Sequence, residues 1–238
     1  MLELQDIKKA FNQGRPNEFW AIRGISLHLE ARRVTCLKGA SGSGKTTLLA
    51  MIGCLSRPTA GRILLDGQLL SGLPERFLTE IRRHTFGFVF QRFNLIQGMT
   101  VQENIMLPAY PLGPRHSALV QRAKRLMDHF NLHDKAANPV EWLSGGEAQR
   151  TAICRALIND PSILIADEPT ANLDSRLSRE FMALIGELSA AGKTVLISSH
   201  DPLVFDSPVV DRVVELQDGL LVGARISHKA DQNVLREH

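Results

Sequence analysis

No stretch of the sequence approaches the roughly 18 consecutive apolar residues that a membrane-spanning helix needs. Any work at a bilayer would therefore need spans supplied by other subunits. The opening residues, Met1-Leu2-Glu3-Leu4-Gln5-Asp6, lack the basic start and apolar run of a secretion signal, which predicts a chain that stays in the cytoplasm. Cysteine is scarce. Cys36, Cys54 and Cys154 are an odd number, and no CxxC or Cys/His spacing suggests zinc. Each lies in an apolar or helical context, which predicts buried, reduced thiols. An excess of one charge is missing too: 28 Lys and Arg against 25 Asp and Glu leave a net charge of +3. That is not the concentrated basic surface of a nucleic-acid binder. There is no internal repeat and no low-complexity stretch. At 44% hydrophobic and 22% charged, the 238 residues have the composition of one or two folded domains, not of a disordered chain.

Strand-like and helix-like runs alternate along the chain, which predicts an α/β fold. Residues 2–8 and 25–30 alternate apolar and polar, as half-buried antiparallel strands do. Val34-Thr35-Cys36-Leu37 reads as a buried strand, and residues 45–54 read as a helix. Residues 63–65, followed by Asp66-Gly67, read as a strand entering a hairpin turn. Residues 86–90 are a further strand. Between about 92 and 156 the character changes. Pro108, Pro111 and Pro114 break the chain, and residues 117–130 place Leu119, Ala123, Leu126, Met127 and Phe130 on one helical face. This segment reads as a helical insertion. Short apolar runs return at 162–166, 194–198 and 212–216, and from Gly223 the chain turns polar, which predicts a frayed tail.

Gly39-Ala40-Ser41-Gly42-Ser43-Gly44-Lys45-Thr46 fits GxxxxGK[ST] without a mismatch, between a buried strand and a helix. Glycines let the backbone wrap a phosphate with its N–H groups inward, and the helix start adds positive potential. Lys45 then reaches the outer phosphates and Thr46 offers its hydroxyl to Mg²⁺. The apolar run 162–166 ends in Asp167-Glu168, at the position where P-loop NTPases hold Mg²⁺ through an Asp. Asp167 takes that place, and Glu168 can face the γ-phosphate and polarise the attacking water.

Leu143-Ser144-Gly145-Gly146-Glu147-Ala148-Gln149-Arg150 narrows the reading. Ser144 is a good N-cap for a helix running to Leu157, and the two glycines leave N–H groups bare at its start. With LSGG in this order and context, the chain resembles the ATP-binding-cassette (ABC) ATPases from about residue 2 to residue 222. The resemblance implies a P-loop NTPase with a RecA-like core (1–91 and 157–222), an N-terminal antiparallel β part, a helical subdomain (92–156) and a polar tail (223–238). It implies ATP and Mg²⁺ as ligands, and two cassettes packed head to tail around two ATP molecules. Nucleotide contacts would come from Phe11, Gly39, Ala40, Ser41, Gly42, Ser43, Gly44, Lys45, Thr46, Thr47 and Gln91, and across the dimer from Ser144, Gly145, Gly146, Glu147 and Asp174. Phe11 matches the aromatic that stacks on adenine, with core packing as the alternative; Trp20 is a lesser stacking candidate. The Mg²⁺ ligands would be Thr46, Gln91 and Asp167. Catalysis would fall to Glu168, His200, Gln91 and Lys45, with His200 matching the switch histidine and Asp174 ending the loop that crosses the interface. Glu147 stands where Gln is common.

Runs around residues 52–55, 87–96 and 103–108 resemble the lipoprotein-releasing, macrolide-export and cell-division group of cassettes. That implies a partner permease of few membrane helices, extracytoplasmic components reached through it, a peripheral place on the cytoplasmic face of the membrane, and no nucleic-acid partner. The expected function is ATP-driven export, lipid or lipoprotein extraction, or force transmission, with residues 93–99 lining a groove for a permease helix. The alternative is a membrane-associated regulatory ATPase that signals to extracytoplasmic enzymes and moves no substrate.

Overall fold

The computed structural model describes residues 1–171 and 173–226. In chain order the elements are β1 (Leu2–Phe11), β2 (Phe19–Leu29), β3 (Val34–Lys38), α1 (Lys45–Ile52), β4 (Ala60–Leu65), β5 (Gln68–Leu69), α2 (Glu75–Thr85), β6 (Phe86–Val89), α3 (Val101–Met106) and α4 (His116–His129). They continue with α5 (Gly145–Leu157), β7 (Ile163–Asp167), α6 (Ser175–Ala190), β8 (Thr194–Ser199), α7 (Pro202–Phe205), β9 (Arg212–Gln217) and β10 (Leu220–Ile226).

Two sheets result. One is antiparallel, in the order β2-β1-β4-β5; the other has the order β10-β9-β3-β8-β7-β6 and is parallel except for β10. Val34, Thr35, Cys36 and Leu37 of β3 are all buried because helices or the other sheet cover both faces of a parallel strand. β1 and β2 alternate, so that Leu2, Leu4, Ile7, Ile22, Ile25, Leu27 and Leu29 enter the core shared with α1. Each such side chain contributes about 1.5–3 kcal/mol.

The helical segment 92–156 has no separate core. Met106, Leu119, Met127, Phe130 and Ile153 pack in one cluster with Val34, Cys36, Leu164 and Ala166 of the parallel sheet. Its entry is anchored by Arg155, which donates to the carbonyls of Phe93 and Asn94, and by Asn104, which accepts from the Ile96 amide at 2.7 Å and donates to the Ile96 carbonyl at 3.0 Å.

The expected polar tail is corrected at its start. Residues 223–226 belong to β10, which pairs antiparallel with β9 at the sheet edge. Ladder hydrogen bonds need no apolar side chains, so Gly223, Ala224 and Arg225 are tolerated on a half-solvated edge strand. Residues 227–238 lie outside the described residues. Cys36, Cys54 and Cys154 are free and buried as expected. Burial pushes the Cys36 thiol up to about 12, that of Cys54 up to about 11, and that of Cys154 up as well.

Candidate functional site

Parallel strands deliver their carboxyl ends to one edge, where ligands bind in open α/β sheets. β3, β8, β7 and β6 lie side by side, and the segments leaving them carry the phosphate loop, His200, Asp167-Glu168 and Gln91. A cavity of about 540 Å³ opens there. It is lined by Phe11, Ser41, Gly42, Gly44, Lys45, Thr46, Thr47, Gln91, Glu168 and His200, together with Phe19, Trp20, Ala21, Arg23, Asp218 and Gly219.

Lys45 is 5% exposed and donates to the carbonyls of Gly39 at 2.7 Å and Ala40 at 3.0 Å. Its Nζ also lies 3.1 Å from Oε1 of Glu168, whose Oε2 is 3.0 Å from Nδ1 of the more exposed His200. One carboxylate thus stands between two nitrogen groups and can hold or pass a proton. Glu168 is buried, and its φ of 45° is in the left-handed region, a strain of about 1–3 kcal/mol for a residue other than glycine. Ser198 holds that turn: its Oγ accepts the Glu168 N–H at 2.9 Å and donates to Asp167 Oδ1 at 2.5 Å.

The loop conformation depends on two glycines. Gly44 has φ of 102°, and a Cβ there would sit 2.7 Å from the Ala21 carbonyl oxygen. Gly219 has φ of 76°, and its Cβ would fall 2.6 Å from that oxygen. The Gly219 N–H donates to the Ser43 carbonyl at 3.1 Å, and its own carbonyl accepts the Arg23 N–H at 2.9 Å. The β9–β10 turn therefore clamps the phosphate loop to the antiparallel sheet. Ser43 Oγ is buried without a hydrogen-bond partner among the described residues.

Phe11 is half exposed and stacks on Phe19, its cross-strand partner in the β1–β2 hairpin, with centroids 5.3 Å apart and planes 19° off parallel. Trp20 lines the same cavity. Sequence reasoning missed Phe19, Ala21, Arg23, Asp218 and Gly219. Asp218-Gly219 carries a hairpin-turn signal, but nothing local in the sequence says that this turn reaches the loop 176 positions earlier.

Ser144, Gly145, Gly146, Glu147 and Asp174 do not line this cavity. They lie at the starts of α5 and α6, with Gly146 buried. Ser144 caps α5 in a reciprocal box, its Oγ accepting the Glu147 N–H at 3.4 Å while Glu147 Oε2 accepts from the Ser144 N–H at 2.8 Å and its hydroxyl at 2.9 Å. Glu147 Oε1 pairs with Lys135 at 3.2 Å. The Ser144 N–H above all, helped by its hydroxyl and by Lys135, holds the Glu147 carboxyl below its ordinary range, while burial opposes them. Asp174 caps α6 by accepting the Leu177 N–H at 2.8 Å, and that bond lowers its carboxyl pKa. Asn172, in the same loop, lies outside the described residues.

The donor set fits Mg²⁺ better than a transition metal. Thr46, Gln91 and Asp167 offer a hydroxyl, a carboxamide and a carboxylate, all hard oxygen donors. Among the described residues no cluster of three or more His, Cys, Asp or Glu could hold a metal alone. A Mg²⁺ held by these oxygens would need water and phosphate oxygens to complete it, as Mg²⁺ sites usually do.

A family model described as ABC transporter matches residues 22–171. The chain is 40% identical over 238 residues to the pyoverdine export ATP-binding/permease protein PvdT of Pseudomonas fluorescens (strain Pf0-1), covering 98% of this chain and 35% of that protein. It is 39% identical over 222 residues to the macrolide export ATP-binding/permease protein MacB of Hyphomonas neptunium (strain ATCC 15444), covering 93% and 34%. The chain thus spans about a third of the length of the curated relatives it matches. Among solved structures it is similar to the dimeric structure of MJ0796, described as a bacterial ABC transporter cassette, with a TM-score of 0.87, 35% identity, and coverage of 95% of this chain and 98% of that one. The same values hold for a dimeric post-hydrolysis state of MJ0796 bound to ADP and Pi.

Proposed function

The chain belongs to the ABC transporter family, and from that premise we propose that it is the ATP-binding and ATP-hydrolysing subunit of an export-type transporter, working as a pair of copies that close around two ATP molecules. The observation that carries this reading is the chain of contacts from Lys45 through Glu168 to His200 at the mouth of a glycine-rich loop. In this form the lysine is spent on its own loop and on Glu168. A triphosphate entering the loop supplies a better counter-charge, so Lys45 turns to phosphate and releases Glu168. Glu168 then accepts a proton from the attacking water as the water oxygen bonds to the γ-phosphorus and the bridging bond to ADP breaks. Lys45 and His200 stabilise charge on the transferring group. Phe11 and Phe19 offer the aromatic face for the base. Thr46, Asp167 and Gln91 would hold Mg²⁺, which when bound neutralises phosphate charge.

Ser144 and the N–H groups of Gly145 and Gly146 meet the nucleotide of the second copy, with Asp174 at the same interface. The head-to-tail pair is supported by the absence of these residues from the cavity lining of their own copy and by the dimeric structures of the similar cassette.

Among the described residues no helix is long and apolar enough to cross a membrane. We place the chain on the cytoplasmic face, bound to a permease. The docking groove is the cavity of about 320 Å³ lined by Leu55, Arg82, Phe88, Phe90, Pro108 and Arg155. Residues 93–99 do not line this cavity; Phe93 and Leu95 pack partly against the core, and Ile96 is exposed beside them. Mg·ATP added to Glu168→Gln should convert monomer to a stable dimer in size-exclusion chromatography, while turnover falls by about 100-fold or more. A variant that stays monomeric with saturating ATP removes the sandwich.

A further inference from the structure

We infer that Gln149 is a positioning residue that ties α5, the helix facing the partner's nucleotide, to the turn holding Glu168 of its own site, so that occupation of one site is felt at the other. This rests on the reading of Ser144 and Glu168 given above. Gln149 is 3% exposed, and its Nε2 donates to the Pro169 carbonyl oxygen at 3.0 Å. Pro169 directly follows Glu168. A second contact lies one turn earlier on the helix: Leu177 Cδ2 stands 2.8 Å from where a Cβ on Gly146 would be. Leu177 is also the residue whose N–H is capped by Asp174. The start of α5 thus grips the segment 169–177 near both ends, beside Glu168 at one and the Asp174 loop at the other.

Helical geometry makes this grip a lever. Ser144 and Gln149 are five residues apart, about 7.5 Å along a single hydrogen-bonded helix, so a shift of the N-terminus is carried to Gln149. The segment it grips is not relaxed. Glu168 is held at a left-handed φ, and Thr170 Oγ1 is buried without a hydrogen-bond partner among the described residues. Strain and an unmet hydroxyl are what a segment with a second arrangement would show. The Glu168 carboxylate is also engaged by Lys45 and His200, and it must be reoriented before it can take a proton from water. A pull on the Pro169 carbonyl acts one peptide away.

Gln149→Met keeps the length and bulk of the side chain and deletes its carboxamide, including the Nε2 donor. We expect kcat to fall by roughly 10- to 100-fold, as for a slightly misplaced catalytic group, and the Hill coefficient for ATP to fall toward about 1 as the sites uncouple. ATP affinity, and the ATP-dependent dimer measured in a Glu168→Gln background, should stay within about twofold, because binding precedes the coupled step. Normal turnover and cooperativity in Gln149→Met would overturn the inference. So would a loss of turnover matched by an equal loss of dimer, since that marks a merely structural role. Absence of dimer in Glu168→Gln alone removes the underlying sandwich and this coupling with it; a dimer there with normal Gln149→Met turnover removes the coupling only. Leu177 is half-buried at the other grip, so Leu177→Ala carries the test if the methionine variant does not fold. It should lower kcat in the same direction by a few-fold with the dimer retained, and unchanged turnover would count against the lever.

Discussion

Lys45–Glu168 and Lys135–Glu147 are the same two kinds of side chain at nearly the same separation, 3.1 and 3.2 Å, in opposite surroundings. In the first pair the side chains are 5% and 11% exposed; in the second they are 40% and 19% exposed. Removing one partner of a buried pair strands the other charge, at about 3–5 kcal/mol. A solvated pair is worth about 0–1 kcal/mol. The phosphate loop therefore keeps its lysine answered until a ligand replaces the answer. The start of α5 carries a carboxylate whose counter-ion is replaceable by water. The two surfaces that we propose meet across one nucleotide are thus unequal: one is closed on itself, the other loosely neutralised.

The largest effect should come from the buried pair. Lys45→Ala should weaken ATP binding, followed by titration of a fluorescent ATP analogue, by about 100-fold or more, the order lost with one charge-stabilising donor. Retention within about tenfold would erase the contrast. Next come the stacked rings. Phe11→Ala and Phe19→Ala should each weaken ATP binding by about tenfold, within the range for base–aromatic stacking. Because the rings touch each other, the double variant should lose less than the product. An additive double variant would mean that the rings act separately.

The smallest effect belongs to the solvated pair. Lys135→Ala should leave ATP affinity unchanged and weaken the ATP-dependent dimer of a Glu168→Gln background by no more than about fivefold, the scale of one exposed ion pair. The cap adds a pH signature. The folded Glu147 carboxyl lies below its ordinary value of 4.5, so its stabilising bonds are fully present above that value and are lost as pH falls through the lower folded value. The thermal midpoint of Glu147→Gln should lie below the parent's at pH 7 and converge on it as the pH falls past the lowered folded value. A gap that persists in acid would assign the cap to shape and not to charge.

The sequence was most legible where function is contiguous. Residues 39–46 and 143–150 hold their chemistry in eight consecutive positions each, and β3 reads as buried because all four of its residues 34–37 are apolar or β-branched. Element order was legible too, since apolar periodicity is local. What escaped was lateral. Phe19 joins Phe11 through hairpin register, Gly219 reaches Ser43 between two sheets, and Gln149 meets Pro169 from a helix onto a turn. The edge strand β10 escaped because ladder bonding, not side-chain polarity, keeps it in the sheet.

By itself the amino-acid sequence determined the α/β succession, the glycine-rich loop with Lys45, the Asp167-Glu168 pair and the Ser144 cap, because each depends on neighbours within one turn or one strand. Only the tertiary structure decided that Lys45 is neutralised by Glu168, that the helical segment shares its core with the parallel sheet, and that Phe11 stacks on Phe19 at the cavity wall. These depend on which strands lie side by side, and burial and charge pairing follow from distances in space that sequence spacing does not encode.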